Sequence, residues 1–165
     1  MKRSIKFSLL SLLIIFMPVL PVLADVSGKV VKVLDGDTVD VLSKDSMNKM
    51  VKTRVRLAGI DAPEKKQPFG QRSRQQLSRL VGGKQVIVVG KQRDRYGRLL
   101  GTIMLDGRDI NACQVRTGMA WAYRYKGKAA TPAYLAPEAQ ARASKRGLWA
   151  QKSAVAPWEW RRAAR

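Results

Sequence analysis

Carboxylates are scarce in this chain and unevenly placed. Twelve Asp and Glu occur among 165 residues. Asp35, Asp37 and Asp40 share one six-residue stretch, and Asp61 and Glu64 lie three apart in another. Arg56 precedes Asp61 by five positions, and Arg98 closes the segment Asp94-Arg95-Tyr96-Gly97-Arg98. Calcium and magnesium take hard oxygen ligands, chiefly carboxylates and backbone carbonyls. A phosphodiester undergoing hydrolysis builds charge on its equatorial oxygens, and Arg forks match that geometry bidentately. Taken singly, each segment has a plain structural reading. Asp35-Gly36-Asp37-Thr38 is a turn with capping carboxylates, and Asp61-Ala62-Pro63-Glu64 initiates a helix or turn. Arg56 is a solvated cation on a strand, and Asp94 to Arg98 is a hairpin loop. Their co-occurrence in one small, basic domain is what gives them chemical weight.

The rest of the composition narrows the chemistry further. There is no histidine, which excludes Ser-His-Asp and Cys-His catalysis, His-ligated zinc and any imidazole base. A single cysteine, Cys113, excludes an internal disulfide and a multi-Cys metal site, and reads as a small core residue. Carboxylates, Lys, Arg, Tyr and a bound metal are what remain. Thirty-two Lys and Arg give a formal net charge of +20. Charge of this density draws phosphate polyanions or anionic surfaces. A membrane-surface peptide concentrates its charge on one long amphipathic helix. Here Lys and Arg run the whole length of the chain, which favours nucleic acid.

Residues 1–24 have a basic start, the apolar run FSLLSLLIIFMPVL, and Val22 and Ala24 at the end. This is the pattern of a secretory signal cut before Asp25. The alternative is an uncleaved anchor, but the run is short for a full span and Pro18 and Pro21 interrupt it. Removing Lys2, Arg3 and Lys6 leaves 29 basic against 12 acidic residues, still about +17. Export to a periplasm or to the outside of the cell is the expectation, with no stable membrane association once the signal is gone.

The elements that must position the acidic and basic segments follow from periodicity. Val26 to Leu34, Val39 to Leu42 and Met50 to Ile60 read as three strands of an antiparallel meander. Pro68 to Val81 reads as a helix stopped by Gly82-Gly83. Gln85 to Gly90 and Arg98 to Leu105 are two further strands. Asp109 to Thr117 is a short helix closed by Gly118, and a last helix runs from Pro137 to Arg146 with Gly147 as its cap. Ala156 to Arg165 is an aromatic and basic tail expected to lie on the surface. Five strands with interspersed helices fit a small closed or partly open β-barrel, in one domain spanning residues 25–150 with a tail at 151–165.

Together these segments resemble the thermonuclease family, the staphylococcal-nuclease-like domains. The resemblance is carried by Val33 to Thr38, Arg56-Leu57 with Ile60 to Glu64, Asp94 to Arg98, Gly118 with Ala122 to Tyr125, and Glu138 to Ala141. It implies an α+β fold, a five-stranded OB-fold barrel with three packed helices. It implies one Ca²⁺ per site, ligated by the Asp37 and Asp61 carboxylates and the backbone carbonyl of Ala62. Glu64 would orient or deprotonate the attacking water, and Arg56 and Arg98 would grip the scissile phosphate. Arg95 and Tyr96 fall where the family contacts a terminal phosphate, and Arg95 stands where Lys is typical. Tyr123 would stack on or flank a base with Tyr125 beside it, unless both simply pack. The implied activity is a monomeric endonuclease acting on DNA and RNA with little sequence preference, leaving 3′-phosphate ends. The alternative is a non-catalytic nucleic-acid-binding OB-fold module.

Overall fold

A computed structural model describes residues 25–164 of the chain. The expected signal at 1–24 lies outside the described residues. Alternation of buried and exposed side chains sets the strands, because successive residues of a strand face opposite sides of the sheet. β1 (Val26–Val33) turns Gly28 and Val30 inward, β2 (Thr38–Lys44) buries its first four residues, and β3 (Met50–Leu57) buries Thr53, Val55 and Leu57. β4 (Ile60–Asp61) is fully buried. After α1 (Gly70–Val81), β5 (Gln85–Val89) buries Val86 and Val88, and β6 (Leu99–Leu105) buries Leu99, Gly101 and Ile103.

Strands β1, β2 and β3 form the expected meander, β5 pairs antiparallel with β1, and β6 pairs antiparallel with β5. A parallel pairing of β3 with β6, Val55 opposite Leu99 and Leu57 opposite Gly101, closes the five strands into a barrel. Closure removes the exposed sheet edges and gives the apolar faces one shared interior. Val30, Val39, Val41, Val55, Val88 and Ile103 fill it, with Leu77 and Val81 of α1 packed against the same core.

The expected strand from Met50 to Ile60 is interrupted. β3 ends at Leu57, and Gly59 adopts a left-handed conformation with φ of 73°. A side chain there would meet Thr131 Oγ1 at 2.2 Å, so both the turn and the close approach require glycine. The reversal carries Ile60 and Asp61 across the barrel mouth, where β4 pairs with β8 (Trp121–Ala122). The first expected helix starts two residues late because Phe69 sits at φ of 69°, outside helical geometry. Asp109, in the short strand β7 (Arg108–Asp109), caps α2 (Ile110–Arg116) by accepting from the Ala112 amide at 2.9 Å. Cys113 on α2 is half-buried rather than part of the core. A short hairpin, β9 (Arg124–Tyr125) and β10 (Lys128–Ala129), precedes α3 (Leu135–Ala143). α3 begins earlier than the expected Pro137 and ends earlier than Arg146, since Lys145 turns to φ of 50°.

The three expected helices are α1, α2 and α3. The tail, expected only to lie on the surface, adds a fourth helix, α4 (Pro157–Ala163). Its root is held by a second apolar cluster of Trp121, Leu148 and Ala156, flanked by Phe69, Trp149 and Trp158. Among the described residues no helix is long and apolar enough to cross a membrane.

Candidate active site

The turn between β1 and β2 delivers Asp37. Its geometry depends on Gly36, because a side chain at that position would meet Ser73 Oγ at 1.9 Å and Ala62 Cβ at 2.7 Å. From α2, the buried Gln114 side-chain amide donates to the Gly36 carbonyl at 2.8 Å and to the Ser73 carbonyl at 3.2 Å. Turn, α1 and α2 are therefore tied at one point. The Asp37 amide donates to Asp35 Oδ1 at 3.0 Å, which fixes the turn from within. The Asp37 carboxylate accepts from the Ala62 amide at 2.6 Å and from the Thr38 hydroxyl at 3.1 Å.

Arg56, at the end of β3, joins this turn to β4. Its guanidinium lies 3.0 Å from Asp37 Oδ2 and donates to Asp61 Oδ1 at 3.0 Å. The same group donates to the carbonyls of Leu57 and Ile60, each at 3.0 Å. One planar fork thus bridges two buried carboxylates and the backbone reversal between them. Glu64 stands three residues beyond Asp61 with its side chain 42% exposed. Its loop is pinned by the Glu64 amide donating to Gln67 Oε1 at 3.0 Å, while Gln67 donates to the Val155 carbonyl at 2.7 Å. Across the opening, Asp94 accepts from the Arg98 Nε at 2.7 Å and from the Arg98 and Tyr96 amides, so one carboxylate shapes the turn and aims the arginine.

Asp37, Arg56, Asp61, Glu64 and Arg98 line one cleft of about 790 Å³. Ala62 lies in its wall, and Arg95, Tyr96 and Tyr123 extend the rim. The Arg95 and Arg98 guanidinium groups lie 5.0 and 5.5 Å from the Tyr96 ring centroid. Tyr125 is not in the cleft lining; it is exposed, with the Lys126 ammonium over its ring. Asp40, the third carboxylate of the first acidic stretch, is also elsewhere: it is buried on β2 and paired with Arg54 at 2.8 Å.

The chain matches the family described as "Staphylococcal nuclease homologue" over residues 54–151. It is 46% identical over 151 residues to "Protein ParB" of Escherichia coli, covering 86% of this chain and 82% of that protein. It is 46% identical over 154 residues to "Micrococcal nuclease" of Shigella flexneri, covering 88% and 86%. An "Uncharacterized endonuclease" of Escherichia coli O157:H7 is 45% identical over 152 residues, covering 90% and 94%. The chain belongs to the staphylococcal nuclease family.

Within this nuclease-family barrel the two central carboxylates are held under electrostatic tension. Burial pushes the Asp37 carboxyl up to about 6; Arg56 opposes that shift and Asp35 adds to it. Asp61 is also raised by burial, opposed by its hydrogen bonds from Arg161, with Asp37 adding to the rise. Desolvated anions side by side are costly unless a cation compensates them. Among the described residues no three Asp, Glu, His or Cys side chains cluster as a metal-binding group. Two carboxylates and nearby backbone oxygen suit a large, hard cation that completes its sphere with water. The donor chemistry therefore fits calcium, for which Asp37 and Asp61 would be the charged ligands.

The family segment from Ala122 to Tyr125, with Glu138, is mainly architectural in this nuclease fold. Glu138 of α3 is buried, accepts from the Ala122 amide at 3.0 Å and is bridged by both terminal nitrogens of Arg124. The residue that sequence reasoning missed is Arg161. Its guanidinium, from α4, donates to Asp61 Oδ2 at 2.7 Å and Oδ1 at 3.2 Å, and to Glu64 Oε1 at 2.7 Å. Those partners hold it further above the ordinary arginine range. No local pattern relates residue 161 to residue 61. The only available signal is the placement of two arginines beside two tryptophans in Pro157-Trp158-Glu159-Trp160-Arg161-Arg162.

Proposed function

We propose that this protein is an exported, Ca²⁺-dependent endonuclease that hydrolyses phosphodiester bonds of DNA and RNA with low sequence specificity. The observation that carries this reading is the gathering of Asp37, Arg56, Asp61, Glu64 and Arg98 around one cleft. A purely nucleic-acid-binding barrel has no need of buried carboxylates at its phosphate-facing mouth, where they repel the ligand. The relatives named as a micrococcal nuclease and an endonuclease support the same choice.

Asp37, Asp61 and the Ala62 carbonyl would hold the calcium, which when bound offsets phosphate charge and helps place a water. Glu64, the more solvated carboxylate, would take a proton from the attacking water as its oxygen bonds to phosphorus. Arg98, and Arg56 with the donors its carboxylate and carbonyl contacts leave over, would meet the equatorial oxygens, where negative charge grows. Breaking the bond to the 5′ oxygen leaves a 3′-phosphate and a 5′-hydroxyl. Arg95 and Tyr96, on the cleft rim, would contact a nucleotide's terminal phosphate, and Tyr123 would flank a base. The large basic excess speeds encounter with the polyanion and makes binding salt-dependent.

The test is cleavage of labelled DNA and RNA in buffer stripped of divalent cations by a chelator, then restored with calcium or magnesium. Cleavage restored by calcium supports the reading. Full activity with magnesium in calcium-free buffer removes the calcium assignment, and binding without cleavage in either ion leaves the non-catalytic module. N-terminal sequencing of exported protein tests the signal: a start at Asp25 is expected, and a start at Met1 favours the anchored form.

A further inference from the structure

Arg161 has no part in the reaction above, yet it makes three hydrogen bonds to the two carboxylates that reaction needs most. It engages both oxygens of Asp61, a proposed cation ligand, and Oε1 of Glu64, the proposed base. A guanidinium donating to Glu64 Oε1 takes up a lone pair on the proposed base. One lying along both Asp61 oxygens holds the edge that a divalent ion would use.

Formal charge makes the same point. The linked ion pairs Asp37–Arg56–Asp61–Arg161–Glu64 hold three carboxylates and two guanidinium groups, with Asp35 a further carboxylate beside Asp37. A divalent cation in place of Arg161 brings one more positive charge to this acid-rich set. The exchange is exclusive because both cations use Asp61.

We propose that α4 is an intramolecular latch, in which Arg161 occupies Asp61 and Glu64 as a tethered cation and must withdraw before a divalent ion binds. This rests on the reading of Asp37 and Asp61 as the cation site.

The latch has a fixed root and a free end. Ala156 and Pro157 are buried, the Val155 carbonyl accepts from Gln67 at 2.7 Å, and the Trp158 ring lies 5.5 Å from that of Trp121. The Arg161 side chain is 42% exposed, and Arg162, Ala163 and Ala164 are exposed. The Glu64 pair is exposed and weak, but the Asp61 pair joins a half-exposed guanidinium to a buried carboxylate, so Arg161 leaves most readily when another cation takes its place. A cation that binds only the open form sees its affinity reduced by the open fraction; a latch open about one-tenth of the time costs about tenfold.

The experiment is a calorimetric titration with Ca²⁺ alone on the parent, Arg161→Gln and Arg162→Gln, with tryptophan emission followed in parallel. Trp160, next to Arg161, lines a small pocket with Pro63 and Gln67, so its emission reports docking of the latch's Arg161 end, while Trp121, Trp149 and Trp158 stay with the root. Arg161→Gln is expected to bind Ca²⁺ about tenfold more tightly than the parent. Arg162→Gln, which removes the same charge one residue on, is expected to stay within about twofold of the parent. Calcium should shift the parent's emission with the same midpoint as the calorimetric curve. The latch is overturned if Arg161→Gln binds no more tightly than the parent, if Arg162→Gln tightens as much, or if the parent's emission does not move at saturation. Each of those outcomes leaves the calcium assignment standing, whereas absence of binding in all three proteins removes both.

Discussion

The side chain of Gln114 on α2 donates to the carbonyl of Gly36, the residue just before Asp37, at 2.8 Å. A buried glutamine 78 residues further along the chain therefore fastens the turn that presents the first carboxylate. The same amide reaches Ser73 on α1, so three elements share one fastening. Gln114→Met keeps the length and the apolar volume of the stem but removes the donor. It leaves the Gly36 carbonyl without that partner, at a cost of about 1–3 kcal/mol in folding free energy. The turn should also loosen, so calcium affinity and cleavage rate should fall together. Denaturant unfolding with calcium titration checks both; unchanged calcium affinity would show that Gln114 serves the core alone.

The two arginines should separate by their effect on stability. Arg56 is largely buried and bridges Asp37 and Asp61, so Arg56→Ala leaves two buried carboxylates with less compensation. Removing one partner of such a cluster typically costs about 3–5 kcal/mol. Arg98 is more exposed and is aimed by Asp94 alone among its carboxylate neighbours. Arg98→Ala should melt close to the parent yet lose cleavage. Thermal melts and single-turnover cleavage on both variants decide it; equal destabilisation would contradict the bridging role given to Arg56.

Much of the barrel was legible because alternation in Val26–Val33 and Gln85–Val89 is local and period two. The break at Gly59 was not, since only the approach of Thr131 makes a side chain impossible there. The carboxylates and arginines of the cleft were visible as a set because few acids occur in so basic a chain. What could not be read was contact across long separations. Asp40 looked like a third member of the acidic stretch, but its side chain lies on β2 against Arg54, outside the cleft. Arg161 enters from a hundred residues beyond Asp61, carried there by packing of the Trp158 region.

That Asp40 pair gives a pH signature distinct from the cleft. The hydrogen bonds from Arg54 hold the Asp40 carboxyl below its ordinary value of 3.8, against the opposing effect of burial. The folded form therefore binds this proton less readily than the unfolded form. The pair's contribution is present above the ordinary value and is lost as pH falls through the depressed folded one. Arg54→Gln should be less stable than the parent near neutral pH, and the gap should close on acidification below 3.8. Urea unfolding of both proteins across that range is the check, and a gap that persists at the acid end would mean Arg54 acts by packing.

Glu64→Gln addresses the chemistry most directly. The substitution keeps size and hydrogen-bonding reach but removes the charge that can accept a proton from water. If Glu64 is the base, single-turnover cleavage should fall by about 10²–10⁴-fold. Binding should survive, because it rests on Lys and Arg spread along the chain and stays steeply salt-dependent. Filter binding on the same labelled strand at two salt concentrations compares the two proteins, and a slight tightening is expected from the lost negative charge. Stability should change little, since the Glu64 side chain is 42% exposed and its bond to Arg161 is one of that arginine's three. A rate equal to the parent's, with binding intact, would make Glu64 only a holder of Arg161 and return the proton to solvent.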